Sequence, residues 1–519
     1  MSEDKFKESI KQAFDYKGKS VLLGGAVYDK KAVPGIEVRL PLATINRHGL
    51  IAGATGTGKT KSVQLFAEAL SDNGVNVLVM DIKGDVSGIA KAGQDNPKIR
   101  ERMDLIGAPW APTEYPVELM TISNEKGLRL RATVSEFGPV LFSKILELNE
   151  NQEGAVAIIF KYCDDKKMPL LDIKDFRAVL QYLSDGEGKN EIDKNYGSIS
   201  PASSGVIMRK LLELEQQGGD MFFGERSFEV EDLLQRDIKG RAFINILRLT
   251  DIQDKPKLFS TFMLCLLAEI YNKFPEIGDK GDPKLVIVID EAHLIFKEAS
   301  KTLMQQLETI IKLIRSKGVG IYFCTQAPTD IPEIILSQLG TKIQHALRAF
   351  TAKDRKDIKL VAENFPVTEF YTTDQLITEL GTGEALVTVL NEKGIPTPLV
   401  HTLMCAPQSR MDVLSPEEQD EKVSSSRVAR FYNEVIDRES AYEILSKKMA
   451  EAEEEEADTP VKSTRQAEKE DTGKAVGKTI KDIANSSLTK TIFREVTRGL
   501  FGVLMGKKTT TRSKSRGLF

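Results

Sequence analysis

Eight residues, Gly53-Ala54-Thr55-Gly56-Thr57-Gly58-Lys59-Thr60, set glycines, a lysine and a hydroxyl at the spacing G-x-x-x-x-G-K-[ST]. Glycine admits backbone torsions closed to other residues, so successive N–H groups can converge on one anion. Lys59 then supplies a point charge to the β- and γ-phosphates, Thr60 offers Mg²⁺ a hydroxyl, and Lys61 follows in the same turn. The chemistry implied is binding of a nucleoside triphosphate, read as ATP, together with Mg²⁺. A second set lies at Asp290-Glu291, directly after the aliphatic run Leu285–Ile289. Asp290 is placed to hold Mg²⁺ through water and Glu291 to polarise the water that attacks the γ-phosphate, the alternative being a pair of helix-capping carboxylates. Gln326 follows another apolar run, Val319–Cys324, where an amide can sense the γ-phosphate or be an ordinary loop glutamine. Asp81 and Asp85 either reach a metal-bound water or cap the next helix. Arg315, Arg348 and Arg355 each follow a core element, where one could reach a neighbouring subunit's ATP; such a residue is worth about 10³–10⁵ in rate, although most arginines simply coat surfaces.

These groups need a scaffold of alternating strands and helices. Gly49–Ala52 reads as a strand entering the glycine loop. Val63, Phe66, Ala67 and Leu70 then mark the buried face of a helix ending at Asn73-Gly74. Val75–Met80 is a second strand. The unbroken run Leu285–Ile289 demands burial on both faces, as in a parallel sheet. Arg241–Leu247 and Lys342–Phe350 are further strands, Phe259–Phe274 is an apolar helix, and another helix starts at Ala352. Gly383–Leu390 with the turn Asn391–Pro396 reads as a closing hairpin. Between about 130 and 240, helical stretches (Pro139–Leu148, Ala155–Tyr162, Lys174–Leu183, Ser203–Glu215) form an insertion separating the two chemical motifs. The expected fold class is α/β: a nucleotide-binding core with a mainly parallel central sheet, a helical insertion and a flexible C-terminal tail.

The expected organisation is a β-containing segment over 1–46, a core over 47–408, a C-terminal helix within 409–450, an acidic linker over 451–473 and a basic amphipathic tail over 474–519. The first segment holds a polar helix and two β-like runs, Val21–Gly25 and Ile36–Leu40, broken at Pro34-Gly35. Val428, Phe431, Tyr432, Val435 and Ile436 are expected on one C-terminal helix. The tail carries 11 Lys or Arg against Asp482 and Glu495 around the apolar run Phe493–Met505. That suits nucleic acid, a membrane surface, or docking onto the protein's own assembly.

With 519 residues, 41% hydrophobic, 29% charged and a net charge of −4, the chain reads as globular and lacks a uniformly basic coat. The start has no apolar signal core and no stretch is long enough to span a bilayer, so a cytoplasmic location is expected. Four cysteines (163, 265, 324, 405) and four histidines (48, 293, 345, 401) lie too far apart for a disulfide framework or a zinc motif.

Several strings together resemble the YjgR-type bacterial branch of the HerA/FtsK ATPases. They are Arg47–Ile51 before the glycine loop, Asp81–Gly88, Gly318-Val319-Gly320 before Thr325-Gln326, Gln344–Phe350, Gly383–Val387, and the Gly-rich stretch Arg494–Gly506. The resemblance covers roughly 20–408 plus the tail. It implies a RecA-like core assembled as a hexameric ring, hydrolysing ATP at subunit interfaces and acting on DNA as translocase or helicase. HerA proper carries an N-terminal β-barrel that 46 residues cannot complete. Asp290-Glu291-Ala292-His293 also spells a helicase box of two-domain enzymes, but no Q-R-x-G-R-x-G-R motif follows it. A single core must therefore meet its arginine in trans, within a homo-oligomer. The alternative is an ATPase switch engaging a protein partner or a membrane surface without moving nucleic acid.

Overall fold

The computed structural model describes residues 3–278, 283–298, 301–436 and 438–457. The linker beyond 457 and the basic tail at 474–519 lie outside the described residues. The described chain is built on one twelve-stranded sheet: β1 (Ser20–Tyr28), β2 (Lys31–Pro41), β3 (Gly49–Ala52), β4 (Asn76–Asp81), β5 (Val117–Thr121), β6 (Leu128–Arg129), β7 (Ile244–Arg248), β8 (Leu285–Ile289), β9 (Val319–Thr325), β10 (Thr341–Gln344), β11 (Glu384–Thr388) and β12 (Val400–Met404). Their spatial order is β2-β1-β12-β11-β10-β3-β9-β8-β4-β7-β5-β6. From β10 through β6 all neighbours run parallel, while β11, β12, β1 and β2 continue the sheet antiparallel.

Parallel pairing forces burial of both faces, and the sequence supplies it. On β8, Leu285, Ile287 and Ile289 enter one core while Val286 and Val288 enter the other. The first core is completed by helices between β6 and β7: Val134–Ile145, Glu150–Lys166, Ile173–Ser184, Lys189–Asn195 and Pro201–Gln216. Thr133, Asn149 and Asp172 each close a reciprocal capping box at the start of one of them, so side chains satisfy amides that would otherwise lack partners. The second core holds the glycine-loop helix Lys59–Asp72, the helix Pro97–Ile106, and Phe6 and Ile10 of the N-terminal helix Glu3–Ala13.

Register aligns the carboxyl ends of the central strands. Ala52 pairs with both Thr325 and Gln344, Ile289 with Phe323, and Met80 with Ile289. Residues that follow these strands therefore share one edge, and those that precede them share the other.

Several local expectations are corrected. Pro34-Gly35 does not separate the first two strands: it lies inside β2, and the turn is made by Asp29-Lys30, both at positive φ. β10 stops at Gln344, because the next residues leave the ladder to buttress the glycine loop. Val428–Ile436 is not one helix. It contains only the short helix Ala429–Asn433, burying Tyr432 while Val435 stays 82% exposed. The acidic run from Glu451 begins as helix, continuing Ala441–Ala457, rather than as linker. Strands β5, β6 and β12 have no counterpart in the sequence reading.

Candidate nucleotide site

The glycine loop leaves β3 and turns into the helix Lys59–Asp72, whose N-cap Gly58 has φ 114° and offers no side-chain cap. The first amides of that helix are therefore available to an anion. A side chain at Gly53 would collide with His345, and one at Gly58 would crowd the Gly383 backbone. The loop is clamped from outside by Ala54 N–H donating to the Ala346 carbonyl (2.8 Å) and Gly383 N–H to the Thr57 carbonyl (3.0 Å). Thr57 Oγ1 donates to the Ala54 carbonyl at 2.7 Å, leaving Thr55 and Gly56 exposed at the loop's tip. Lys59 is buried and donates from Nζ to the carbonyls of Gly53 (2.6 Å) and Ala54 (3.2 Å). Burial lowers its pKa, a cost that a bound polyphosphate would offset. The Lys61 ammonium leaves the loop and donates to the Met411 carbonyl, so what Lys61 can offer a phosphate is its backbone amide in the helix's first turn.

Thr60 points to the acidic cluster. Its Oγ1 donates to Asp85 Oδ2 at 3.0 Å, and carboxylate oxygens of Asp81, Asp85 and Asp290 all lie within 4.8 Å of one another. Asp81, left open between metal and cap, does the local work: its carboxylate accepts from the amides of Gly84 (2.7 Å), Asp85 (3.2 Å) and Val86 (3.3 Å). Burial, followed by repulsion from Asp85, pushes the Asp81 carboxyl up to about 7, and burial likewise raises Asp290. Three converging carboxylates with a hydroxyl are a donor set that suits a hard divalent cation such as Mg²⁺. The sequence points to Asp290 and Thr60 for the metal and leaves Asp81 and Asp85 open between a metal-bound water and a helix cap; the geometry brings all four together.

Glu291 follows at the tip of β8, buried and at φ 45°. It forms an ion pair with Lys83, and His293 Nδ1 lies 3.1 Å from its other oxygen. Burial opposes the charge on Lys83, but Glu291 and Asp290 outweigh it and raise its pKa. Neither Lys83 nor His293 had been given a role from sequence. The available signal was that Lys83 sits two residues past the end of the strand paired with β8. His345 was missed likewise: it bridges Ser62 Oγ (2.9 Å) and the Glu384 carbonyl (2.8 Å), and burial holds its pKa near 4.

Gln326 is exposed beside the loop's root, where Gly53 N–H donates to the Thr325 carbonyl at 3.2 Å. β9 does lie between β3 and β8, which places the amide between the glycine loop and Glu291. Arg348, four residues beyond β10, is exposed on the same edge, and Arg355 is exposed on the helix Ala352–Glu363. Arg315 is not brought to this edge. It precedes β9, and its carbonyl accepts from Asn46 Nδ2 (3.3 Å) at the opposite edge of the sheet.

A glycine loop leaving one strand, acidic residues ending another, and a third strand between them define a P-loop NTPase with a RecA-like core. Two crystal forms of the bacterial conjugative coupling protein TrwB share the fold. The trigonal form, with sulphate, superposes at TM-score 0.51 with 15% identity, covering 79% of this chain and 94% of that one. The unbound monoclinic form gives 0.50 at 14% identity, covering 79% and 95%. The family described as "Helicase HerA-like C-terminal" matches residues 28–510, and the chain belongs to that family. It is similar to the DNA double-strand break repair helicase HerA of Sulfolobus acidocaldarius, with 23% identity over 75% of this chain and 71% of that protein. It is also similar to a Methanocaldococcus jannaschii protein named Probable helicase MJECL08, with 34% identity over 66% of this chain. The chain spans 63% to 71% of the length of these relatives.

Proposed function

We propose that this chain is an ATP-hydrolysing ring motor of the HerA/FtsK type, acting on DNA as a translocase or helicase. The observation that carries the reading is the buried Glu291, set at the tip of β8 beside Asp290, Asp85 and Thr60, in a chain of the HerA-like family. The loop amides and Lys59 hold the phosphates. Thr60, Asp85 and Asp290 hold Mg²⁺, which supplies charge neutralisation on the transferring phosphoryl group. Glu291 accepts the proton of the attacking water at a carboxylate oxygen, and Lys83 fixes its orientation. Gln326 reports on the γ-phosphate. Hydrolysis is completed in a cytoplasmic homo-oligomer, most simply a hexamer, by an arginine from the neighbour. Arg348 is the leading choice because it shares the nucleotide edge, followed by Arg355, with Arg315 last.

The test is steady-state ATP hydrolysis by the full chain alone and with duplex DNA, single-stranded DNA and RNA, with Lys59→Ala and Glu291→Gln as controls. Stimulation by duplex DNA, absent from both variants, is the expected result; hydrolysis indifferent to every polymer would reject the motor. The second reading is a switch on a protein or membrane surface, favoured by the basic, apolar-centred sequence at 474–519. It requires liposome binding that disappears when those residues are removed.

A further inference from the structure

At the edge opposite the glycine loop, a cavity of about 710 Å³ opens beneath the starts of β3 and β10. Four cations line it: Arg47, Lys312, Arg315 and Lys342. Among the described residues Glu363 is the one carboxylate in the lining, in a chain whose 76 acidic residues outnumber its 72 Lys and Arg. His48, also at the wall, adds no charge. Its ring nitrogens are engaged by the Ile311 carbonyl (2.9 Å) and the Ile321 amide (3.0 Å), and burial holds its pKa near 4. Phe365 and Leu390 are among the apolar side chains of the lining. Lys342 brings cation and ring together: Nζ donates to the Asn364 carbonyl at 2.8 Å and lies 5.9 Å from the Phe365 ring centre.

Four cations lining one cavity with apolar side chains are the chemistry of a ligand with an anionic end and a flat apolar end. The volume falls in the range of small-molecule sites, roughly 300–1,000 Å³. A duplex backbone is convex and meets cations on a surface rather than in a recess. We propose that this cavity is a second anion site, taking a phosphorylated small molecule with an apolar ring, of mononucleotide size. The phosphate sits on Arg47, Lys312, Arg315 and Lys342, and the ring lies against Phe365 and Leu390. Here Arg315 has a use that its distance from the glycine loop denies it within its own subunit.

The site is wired to the loop by position. Gly340 N–H donates to the Arg47 carbonyl (3.1 Å) and Thr341 N–H to the His48 carbonyl (3.2 Å), so the cavity's walls anchor the start of β3. That strand is four residues long and leads straight into Gly53. Four residues at ~3.3 Å put the cavity and the loop roughly 13 Å apart along one rigid strand. Filling the cavity stiffens the loop's root and changes nucleotide turnover.

The test is calorimetric titration of ADP with Mg²⁺ into the full chain, Lys59→Ala, and the double variant Lys312→Glu/Lys342→Gln. Lys312 is exposed, and glutamine at 342 keeps a donor for the Asn364 carbonyl; an unchanged thermal melt verifies the fold. Two ADP per chain are expected. Lys59→Ala should weaken one, and the double variant should weaken the other by about tenfold or more, as loss of charge-assisted phosphate contacts predicts. One ADP per chain, or a second one indifferent to the double variant, overturns the proposal. So does a double variant that loses duplex DNA affinity while keeping both ADP, since the cations would then serve the polymer. If Lys59→Ala alters neither site, the glycine-loop reading fails while this one stands.

Discussion

The two edges of the central sheet are built from the same strands, yet they gather opposite charge. At the carboxyl edge, Lys59 and Lys83 sit among Asp81, Asp85, Asp290 and Glu291, with Lys83 paired to Glu291 and Thr60 donating to Asp85. At the amino edge, four cations line a cavity with a single carboxylate. The first edge is arranged so that one more anion and one more cation complete it. The second has more cations than carboxylates among the described residues that line it. Parallel strands explain why the contrast is possible: backbone polarity sorts the loops, so carboxyl-end loops can specialise without disturbing those at the amino end. The comparison predicts that substitutions at the carboxyl edge change chemistry, while those at the amino edge change binding or stability.

The largest effect should come from Glu291→Gln. Glutamine keeps the shape but cannot take a proton, so turnover should fall by about 10²–10⁴ while nucleotide affinity stays within a few-fold. Single-turnover hydrolysis and nucleotide titration measure the two separately. A variant that hydrolyses normally would dissolve the distinction between the edges. Asp85→Asn comes next. It removes one of three converging carboxylates and the acceptor of Thr60, so the Mg²⁺ needed for half-maximal activity should rise by about 10–100-fold. An unchanged Mg²⁺ titration would return Asp85 to a structural part.

Much of the carboxyl edge was legible from sequence because its chemistry needs fixed residue types at fixed spacing. Gly53–Thr60, Asp290 and Glu291 are contiguous strings attached to recognisable strands, so finding the strings located the site. Lys83 and His345 were invisible as functional residues because their roles depend on strand adjacency: β4 beside β8, and β10 beside β3. The amino-edge cavity escaped for the same reason, being assembled from the entrances to β3 and β10, the end of β11 and the ends of three helices. The fold followed similarly. Runs such as Leu285–Ile289 announce a buried parallel strand, whereas β12 is recognisable mainly through its antiparallel partners β1 and β11.

Lys83→Met sharpens the account of the carboxyl edge. Lys83 pairs with Glu291 and orients its carboxylate. Methionine keeps the side chain's length and removes the pairing, so single-turnover hydrolysis should slow by about tenfold, ~1.4 kcal/mol of lost positioning, while nucleotide affinity stays within a few-fold. A variant whose nucleotide affinity falls as far as its rate would make Lys83 a phosphate contact instead.

A last test probes the amino edge through stability. His48 is held near 4 by burial, against about 6.5 when unfolded, so between those values the unfolded chain binds a proton that the folded chain refuses. Its contribution is complete above the unfolded value and is lost as pH falls through this window. In full it amounts to about 3 kcal/mol. His345 behaves in the same way. Glu68 and Asp81 oppose them: burial raises both to about 7, so they stabilise the fold below their unfolded values and give that stability up as pH rises. The parent chain should therefore show a shallow stability profile between about pH 4 and 7 because these terms cancel. His48→Gln removes one side of the balance. Its urea-unfolding free energy, measured against pH, should rise less steeply, or fall more steeply, with pH than the parent's between pH 4 and 6.5. The variant is less stable at neutral pH and recovers part of the difference in acid. Parallel profiles for parent and variant would show that His48 titrates alike in both states, and that the amino edge is more open to water than its hydrogen bonds to the Ile311 carbonyl and the Ile321 amide imply.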